Sequence, residues 1–255
     1  MENRKVERYK PSNADMVYGT RAIIESLSAE REIERVLIQK GIQNDLITEL
    51  TKELSAQNIP FSKVPLEKLS RLTKKNHQGA IAFMSPIIYK SLDNIVSQAF
   101  EDGKNPLVLV LDRVTDVRNF GAIARTAECA GVDAIVIPAK GGAQINADAV
   151  KTSAGALNHI PVCREDNLKK TIEYLKNSGL AVVACTEKAD KGLYDVDLTQ
   201  PLALLMGSEE DGISPAYLEK ASDQISIPMF GKIASLNVSV STAVLLYEAI
   251  RQRAT

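Results

Sequence analysis

The residues best placed for chemistry lie in three segments near the C-terminus, two of them glycine-bearing. Met206-Gly207-Ser208-Glu209-Glu210-Asp211-Gly212 follows one apolar run, and Ile227-Pro228-Met229-Phe230-Gly231 follows the next. Ser235-Leu236-Asn237 stands just before a final helical pattern. Glycine lets a backbone approach a ligand closely or take a positive φ. Asn237 suits an N-cap or a first helical turn. Successive strand-end loops of this kind meet on one sheet edge, where they can wrap a flat ring with main-chain hydrogen bonds. Taken alone, each also reads as a turn or a cap. Arg125 is a separate candidate. Ile123, Ala127 and Ala130 form an apolar stripe at i, i+4 and i+7, the pattern of a core-facing helix. At 100° per residue, Arg125 falls about 200° from Ile123. It points away from the core, either as an i+3 partner of Glu128 or toward a ligand or a second chain.

Other chemistries lose weight on the same residues. A dinucleotide fold shows G-x-G-x-x-G after its first strand. Here that position reads Asp112-Arg113-Val114-Thr115-Asp116-Val117-Arg118-Asn119-Phe120-Gly121, with one glycine. There is no G-x-x-x-x-G-K-[ST] phosphate loop, and Lys140-Gly141-Gly142-Ala143 reads only as a loop. Three widely spaced cysteines, Cys129, Cys163 and Cys185, do not make a disulfide framework. With two histidines, His77 and His159, a zinc site is not expected, and the cysteines are read as buried thiols.

The elements that position these residues follow from apolar patterning. Val17 to Phe83 reads as a small α/β sandwich. Its helices are Ala22 to Leu27, Asp45 to Gln57 and Leu66 to Leu72, and its strands lie at Val36 to Ile38, after Pro60-Phe61 and at Gly79 to Phe83. From Leu107 onward the runs are continuously apolar: Leu107 to Asp112, Ala134 to Ile137, Ile160 to Cys163, Leu180 to Cys185, Leu202 to Met206 and Gln224 to Ile227. Strands buried on both faces read this way. Helical segments lie between most of them: Ala122 to Ala130, Asn167 to Asn177, Pro215 to Ala221, and a last helix over Val238 to Arg253 with a core stripe of Val240, Val244 and Tyr247. The pattern predicts an α/β protein with a mostly parallel sheet, whose ligands bind beyond the carboxyl ends of the strands. The expected division is a first domain over 1–85, a linker over 86–106 that holds a helix from Leu92 to Phe100, and a second domain over 107–255.

Composition sets the outer limits. Of 255 residues, 45% are hydrophobic and 25% charged, which is ordinary for a globular protein. No apolar run approaches the roughly 20 residues that span a bilayer. The charged segment from Met1 to Lys10 does not read as a signal peptide, so the expected location is the cytoplasm. The net charge of −1 does not advertise nucleic acid. Residues up to Ile88 carry 14 Lys and Arg against 11 Asp and Glu, the rest 17 against 21. This mild asymmetry permits RNA binding by the first domain.

Assembled, the motifs resemble those of a known family. Asp112-x-Val114-x-Asp116-x-x-Asn119-x-Gly121-Ala122-Ile123-x-Arg125-x-Ala127 is similar to motif 1 of the SpoU (TrmH-like) RNA ribose 2′-O-methyltransferases of the SPOUT superfamily. Gly207-Ser208-Glu209-x-x-Gly212 is similar to motif 2. Ile227-Pro228-Met229-x-Gly231 with Ser235-Leu236-Asn237-Val238-Ser239 is similar to motif 3. The opening Met16-Val17-Tyr18-Gly19 resembles the RNA-binding domain of a subgroup that makes 2′-O-methylguanosine in 23S ribosomal RNA. The resemblance implies a C-terminal trefoil knot, a homodimer, S-adenosylmethionine as methyl donor and no metal. By motif matching, Gly207, Ile227 and Leu236 give backbone contacts to the cofactor, with Thr186, Met229 and Val238 as pocket neighbours. Asn119, Arg125, Glu209, Ser235 and Asn237 match the polar catalytic set. The sequence departs from the family where Val117 replaces a usual proline and Glu210 a common glycine.

The family's proposal makes the arginine at Arg125 the base. Arginine holds its proton to above about pH 12, so Arg125 is read instead as orienting the 2′-hydroxyl or adjacent phosphate and stabilising developing negative charge, with Glu209 and Asn119 holding it and Asn237 and Ser235 fixing the ribose. RNA would be held on the first domain through Arg4, Lys5, Arg8, Lys10, Arg21, Lys74 and Lys75. The alternatives are the same chemistry on transfer RNA or on an antibiotic-resistance site of ribosomal RNA, a non-catalytic ribosome-assembly protein, and a nucleotide-dependent α/β enzyme.

Overall fold

The computed structural model describes residues 16–29 and 31–254, so Arg4, Lys5, Arg8 and Lys10 lie outside the described residues. The chain divides into two compact units at Pro86 and Ile87.

The first unit contains β1 (Met16–Tyr18), α1 (Thr20–Ser28), β2 (Ile33–Gln39), α2 (Asp45–Ala56), β3 (Phe61–Val64), α3 (Leu66–Leu72) and β4 (Ala80–Met84). Its sheet order is β1-β4-β2-β3. β4 runs antiparallel to β1 and β2, and β3 parallel to β2. Alternation along the strands assigns the two faces. Val36, Ile38, Ala80 and Ala82 pack with Ile23, Leu27, Leu50 and Leu54 of α1 and α2. Leu37, Ile81 and Phe83 pack with Leu69 of α3. The sequence reading finds each helix of this unit but not β1, whose three residues are too few to show a period.

The second unit contains α4 (Leu92–Glu101), β5 (Leu107–Leu111), α5 (Val117–Cys129), β6 (Ala134–Pro138), α6 (Ala147–Thr152), β7 (Val162–Glu165), α7 (Leu168–Asn177), β8 (Ala181–Cys185), β9 (Leu202–Met206), α8 (Pro215–Leu218), β10 (Asp223–Ile225) and α9 (Val238–Arg253). The strand order is β10-β8-β9-β5-β6-β7, and every neighbouring pair is parallel. The continuous apolar runs are explained by helices on both faces. Leu107, Leu109, Ile135 and Leu204 pack with Phe120 and Ile123 of α5 and Leu245 and Leu246 of α9. Val108, Val110, Val136 and Leu205 pack with Ile172 and Leu175 of α7, and with Leu92 and Val96 of α4. The helix expected within the linker is therefore part of this unit's core.

Two expectations need correction. α5 begins at Val117, five residues before the expected start, because Asp116 caps it. The Asp116 carboxylate accepts from the N–H groups of Arg118 at 2.8 Å and Asn119 at 2.9 Å, and such a cap contributes about 1 kcal/mol. The second correction concerns α9. Its buried face is Val238, Thr242, Leu245, Leu246 and Ala249, whereas Val240 and Tyr247 are 47% and 54% exposed. This helix is apolar on more than one side, so periodicity offers two stripes; packing against α5 selects the other one.

Candidate active site

The ends of β8, β9 and β10 lie side by side in the sheet, and the loops that leave them enclose a cavity of about 310 Å³. Thr186 follows β8, Gly207 follows β9, and Ile227 and Met229 follow β10. Leu236 and Val238 approach from the start of α9. All six residues expected around the cofactor line this cavity, as do Glu209 and Ser235. The sequence reading missed Cys185, Glu187 and Lys188 beside Thr186, and Ser241 on α9. The first three follow a parallel strand, so the strand-end rule was the available signal. Burial pushes the Cys185 thiol up to about 11 and the Cys163 thiol up to about 12, so both stay protonated at neutral pH. Cys129 is exposed rather than buried; it ends α5 on the side away from the core.

Gly207 owes its identity to a close approach. A Cβ added there would lie 2.1 Å from the Gly212 carbonyl carbon and 2.3 Å from the Ile213 nitrogen. The loop closes on itself through Ser208 N–H donating to Gly212 O at 3.2 Å and Gly212 N–H donating to Ser208 O at 3.0 Å. Its positive φ falls at Gly212, not at Glu210, so the departure at Glu210 needs no glycine-like backbone. Val117 stands at the first position of α5, where proline is favoured; the Asp116 cap fixes that start without it.

Three of the five polar candidates converge. Asn119 Nδ2 donates to Glu209 Oε1 at 2.9 Å, and Asn237 Nδ2 donates to the same oxygen at 2.6 Å and to Asn119 Oδ1 at 3.1 Å. Asn237 also caps α9, its Oδ1 accepting from Ser239 N–H at 2.9 Å. One carboxylate thereby joins the start of α5, the loop after β9 and the start of α9. Glu209 also borders a second cavity of about 610 Å³, together with Asn119, Asp116 and Arg113. The segment Ser208–Asp211 is common to both cavity walls.

Arg125 is not part of this cluster. It lies six residues beyond Asn119, about 9 Å further along the helix, and lines neither cavity. Ile123, Ala127 and Ala130 are buried as expected and Arg125 is exposed. It makes no hydrogen bond or ion pair with Glu128, Glu209 or Asn119; among the described residues it is unpartnered. The expectation that Glu209 and Asn119 hold Arg125 is corrected: the asparagines occupy Glu209 instead.

A parallel sheet whose adjacent strand ends enclose a small cavity, with a carboxylate–amide cluster at its rim, is the form of a ligand-binding α/β protein. The chain belongs to the SpoU rRNA methylase family, which matches residues 106–247. Residues 16–90 match the RNA 2′-O ribose methyltransferase substrate-binding family. The chain is 35% identical to Bacillus subtilis YacO, assigned to the TrmH family of tRNA/rRNA methyltransferases, over 94% of this chain and 96% of that one. Among solved structures, the AdoMet-bound rRNA methyltransferase from Sinorhizobium meliloti is 26% identical with a TM-score of 0.59, covering 92% of this chain and 86% of that one. The A. aeolicus TrmH/SpoU tRNA modifying enzyme is 33% identical with a TM-score of 0.54, covering 64% and 84%.

Proposed function

We propose that this protein transfers a methyl group from S-adenosylmethionine to the 2′-hydroxyl of a guanosine in 23S ribosomal RNA, in the cytoplasm. The observation that carries the donor is the cavity at the ends of β8, β9 and β10. Its size suits a compact ligand. Ile227, Leu236, Met229 and Val238 give it apolar walls for a flat ring, and Glu187, Glu209 and Glu210 give it carboxylates on a cationic ligand. When bound, the sulfonium supplies an electrophilic methyl group. The residues present fit that group, with Gly207, Ile227 and Leu236 holding it through their backbone.

The protein's own contribution is placement and charge. In-line attack needs a hydroxyl oxygen held close to the methyl carbon, so orientation lowers the barrier. Asn119 and Asn237, locked by Glu209, present a fixed polar edge where the two cavities share a wall. Ser235 borders the donor cavity and fixes the ribose in this reading. Arg125 has no hydrogen-bond or ion-pair partner among the described residues, so its guanidinium is available to a phosphate or to the developing alkoxide. The trefoil knot belongs to the same reading: after β10 the chain returns to line a cavity already bounded by the ends of β8 and β9.

The homodimer is supported by what α9 and the preceding loop expose. Val240 and Tyr247 lie outside the core, and Phe230 and Ile233 are 97% and 74% exposed. An apolar set of this kind on one segment marks an interaction surface. Tyr247→Asp is expected to shift the protein from dimer to monomer in sedimentation at micromolar concentration without lowering its helix content. A dimer that persists would contradict this assignment.

RNA is held by the first unit in this reading. Arg21, Lys74 and Lys75 are exposed, and Lys75 lies 5.2 Å over the ring of Tyr18. Thr20 Oγ1 donates to Gln78 O at 3.4 Å, so the start of α1 and the 73–79 loop share one end of the unit. Basic groups there track phosphates, and an adjacent aromatic ring can stack an unpaired base. Replacing Lys74 and Lys75 together by alanine should weaken RNA binding and reduce its salt dependence by about two counterions. Cofactor affinity should stay unchanged; an unaltered salt slope would remove these lysines from the interface.

The ribosomal substrate in this reading follows the rRNA methyltransferase from Sinorhizobium meliloti, which covers 92% of this chain; Bacillus subtilis YacO, named for both tRNA and rRNA, covers 94%. Mapping 2′-O-methyl groups in 23S RNA and transfer RNA from cells lacking the gene tests this. The expected result is one lost guanosine methylation in 23S RNA. A loss confined to transfer RNA would replace the substrate and keep the chemistry.

A further inference from the structure

The turn that carries β5 into α5 contains a residue in a conformation its type rarely adopts. Arg113 has a φ of +55°, the left-handed region that glycine or asparagine takes most readily. Its guanidinium is held on three sides. Nε and Nη2 donate to Asp112 Oδ1 and Oδ2 at 3.1 and 3.3 Å. Nη1 donates to Asp211 Oδ2 at 3.0 Å, and Nη2 to Gly212 O at 3.2 Å. Asp112 is 2% exposed, and its Oδ2 also accepts from Ser214 N–H at 2.7 Å. One planar group therefore joins the end of β5 to the C-terminal half of the loop after β9. Only an arginine offers donors in a fork of this shape.

The consequence runs through the loop's own geometry. Ser208 and Gly212 are closed on each other by two backbone hydrogen bonds, so fixing Asp211 and Gly212 fixes Ser208, Glu209 and Glu210 between them. Those residues form the wall of the 310 Å³ cavity and carry the carboxylate that locks Asn119 and Asn237. Arg113 falls within motif 1 at a position the motif leaves unspecified.

We propose that Arg113 is a positioning residue for the methyl-donor site: its guanidinium straps the Gly207–Gly212 loop to the end of β5 and holds the cavity in its binding shape. The inference rests on the reading of that cavity as the S-adenosylmethionine site. Without the strap, the loop must be ordered by the ligand itself, which weakens binding.

The test is calorimetric titration of S-adenosylmethionine and S-adenosylhomocysteine into the full-length protein and its Arg113→Gln and Arg113→Lys variants. Arg113→Gln is expected to raise Kd about tenfold. Arg113→Lys, which keeps the charge but not the fork, should fall between it and the parent. At saturating cofactor, kcat should drop by less than about threefold while the cofactor KM rises, the split expected when ligand binding restores the loop. A folded Arg113→Gln protein with the parent's Kd would overturn the proposal. If the uncovered Asp112 carboxylate prevents folding of that variant, Arg113→Lys decides, since it keeps a cation over Asp112, loses the fork, and changes no residue of the 310 Å³ cavity wall. A Kd raised about two- to threefold at unchanged melting temperature supports the strap, and an unchanged Kd overturns it. Parent protein that binds neither ligand contradicts the cavity reading instead, so the two failures are distinguishable.

Discussion

Gly207→Ala should eliminate measurable S-adenosylmethionine binding. The added methyl group would meet the Gly212 carbonyl carbon at 2.1 Å, the Ile213 nitrogen at 2.3 Å and the Gly212 oxygen at 2.4 Å. Every one of these is backbone, so no rotamer change relieves the clash. The crossing of the loop with the end of β9 must open, and the cavity wall moves with it. We expect Kd to rise by at least about a hundredfold, with a loss of roughly 2–4 kcal/mol in stability. Gly212→Ala is the informative comparison. Gly212 also has a positive φ, of 66°, but no atom lies within 4 Å of its added Cβ. Its cost is the left-handed conformation alone, about 1–2 kcal/mol. Titration calorimetry and thermal unfolding of both variants check the prediction. Equal effects of the two substitutions would mean that close approach at Gly207 does not shape the site.

Arg125→Ala should reduce methyl transfer by about 10²–10³-fold, the range found on removing one stabilising donor. Cofactor affinity should not change, because Arg125 does not line the cavity. Stability should change by less than about 0.5 kcal/mol, as at other exposed positions without partners. That separation makes the variant decisive when sedimentation shows its oligomeric state unchanged: a side chain that contributes nothing to fold, cofactor binding or subunit association has only the acceptor left to act on. Arg125→Lys should recover part of the rate if charge is the main contribution, and little of it if a bidentate fork on phosphate matters more. Full activity of Arg125→Ala in a single-turnover assay would remove Arg125 from the chemistry.

The sheet was legible because its physics is local. Leu107 to Leu111 and Leu202 to Met206 are apolar at every position, and only a strand covered on both faces needs that. The cavity at the ends of β8, β9 and β10 was legible for a related reason: the glycines and apolar residues of its loops sit at strand ends, so pattern and motif together pointed to Gly207, Ile227 and Leu236, which line it. What escaped were choices made by tertiary packing. The stripe of Val240, Val244 and Tyr247 and the stripe of Val238, Thr242, Leu245 and Ala249 have the same period on one helix, and contact with α5 decides between them. The partner of Glu209 was equally out of reach. A carboxylate near an arginine and two asparagines reads first as an ion pair, but the structure gives its Oε1 to the asparagines at 2.9 and 2.6 Å. Arg113 escaped because an arginine after a strand looks like any solvated side chain until its three partners are brought to it from 1 to 99 residues away.

Alkaline hydrolysis of the product distinguishes a ribose hydroxyl from a base as the acceptor. Unmodified 23S RNA is incubated with the protein and methyl-labelled S-adenosylmethionine, then degraded in alkali. Alkali cleaves RNA through attack of each free 2′-hydroxyl on its neighbouring phosphate, so a methylated 2′-oxygen leaves that one linkage intact. The label is expected in an alkali-resistant dinucleotide whose 5′ nucleoside is 2′-O-methylguanosine. Label recovered in mononucleotides would place the methyl group on a base and rule out ribose methylation.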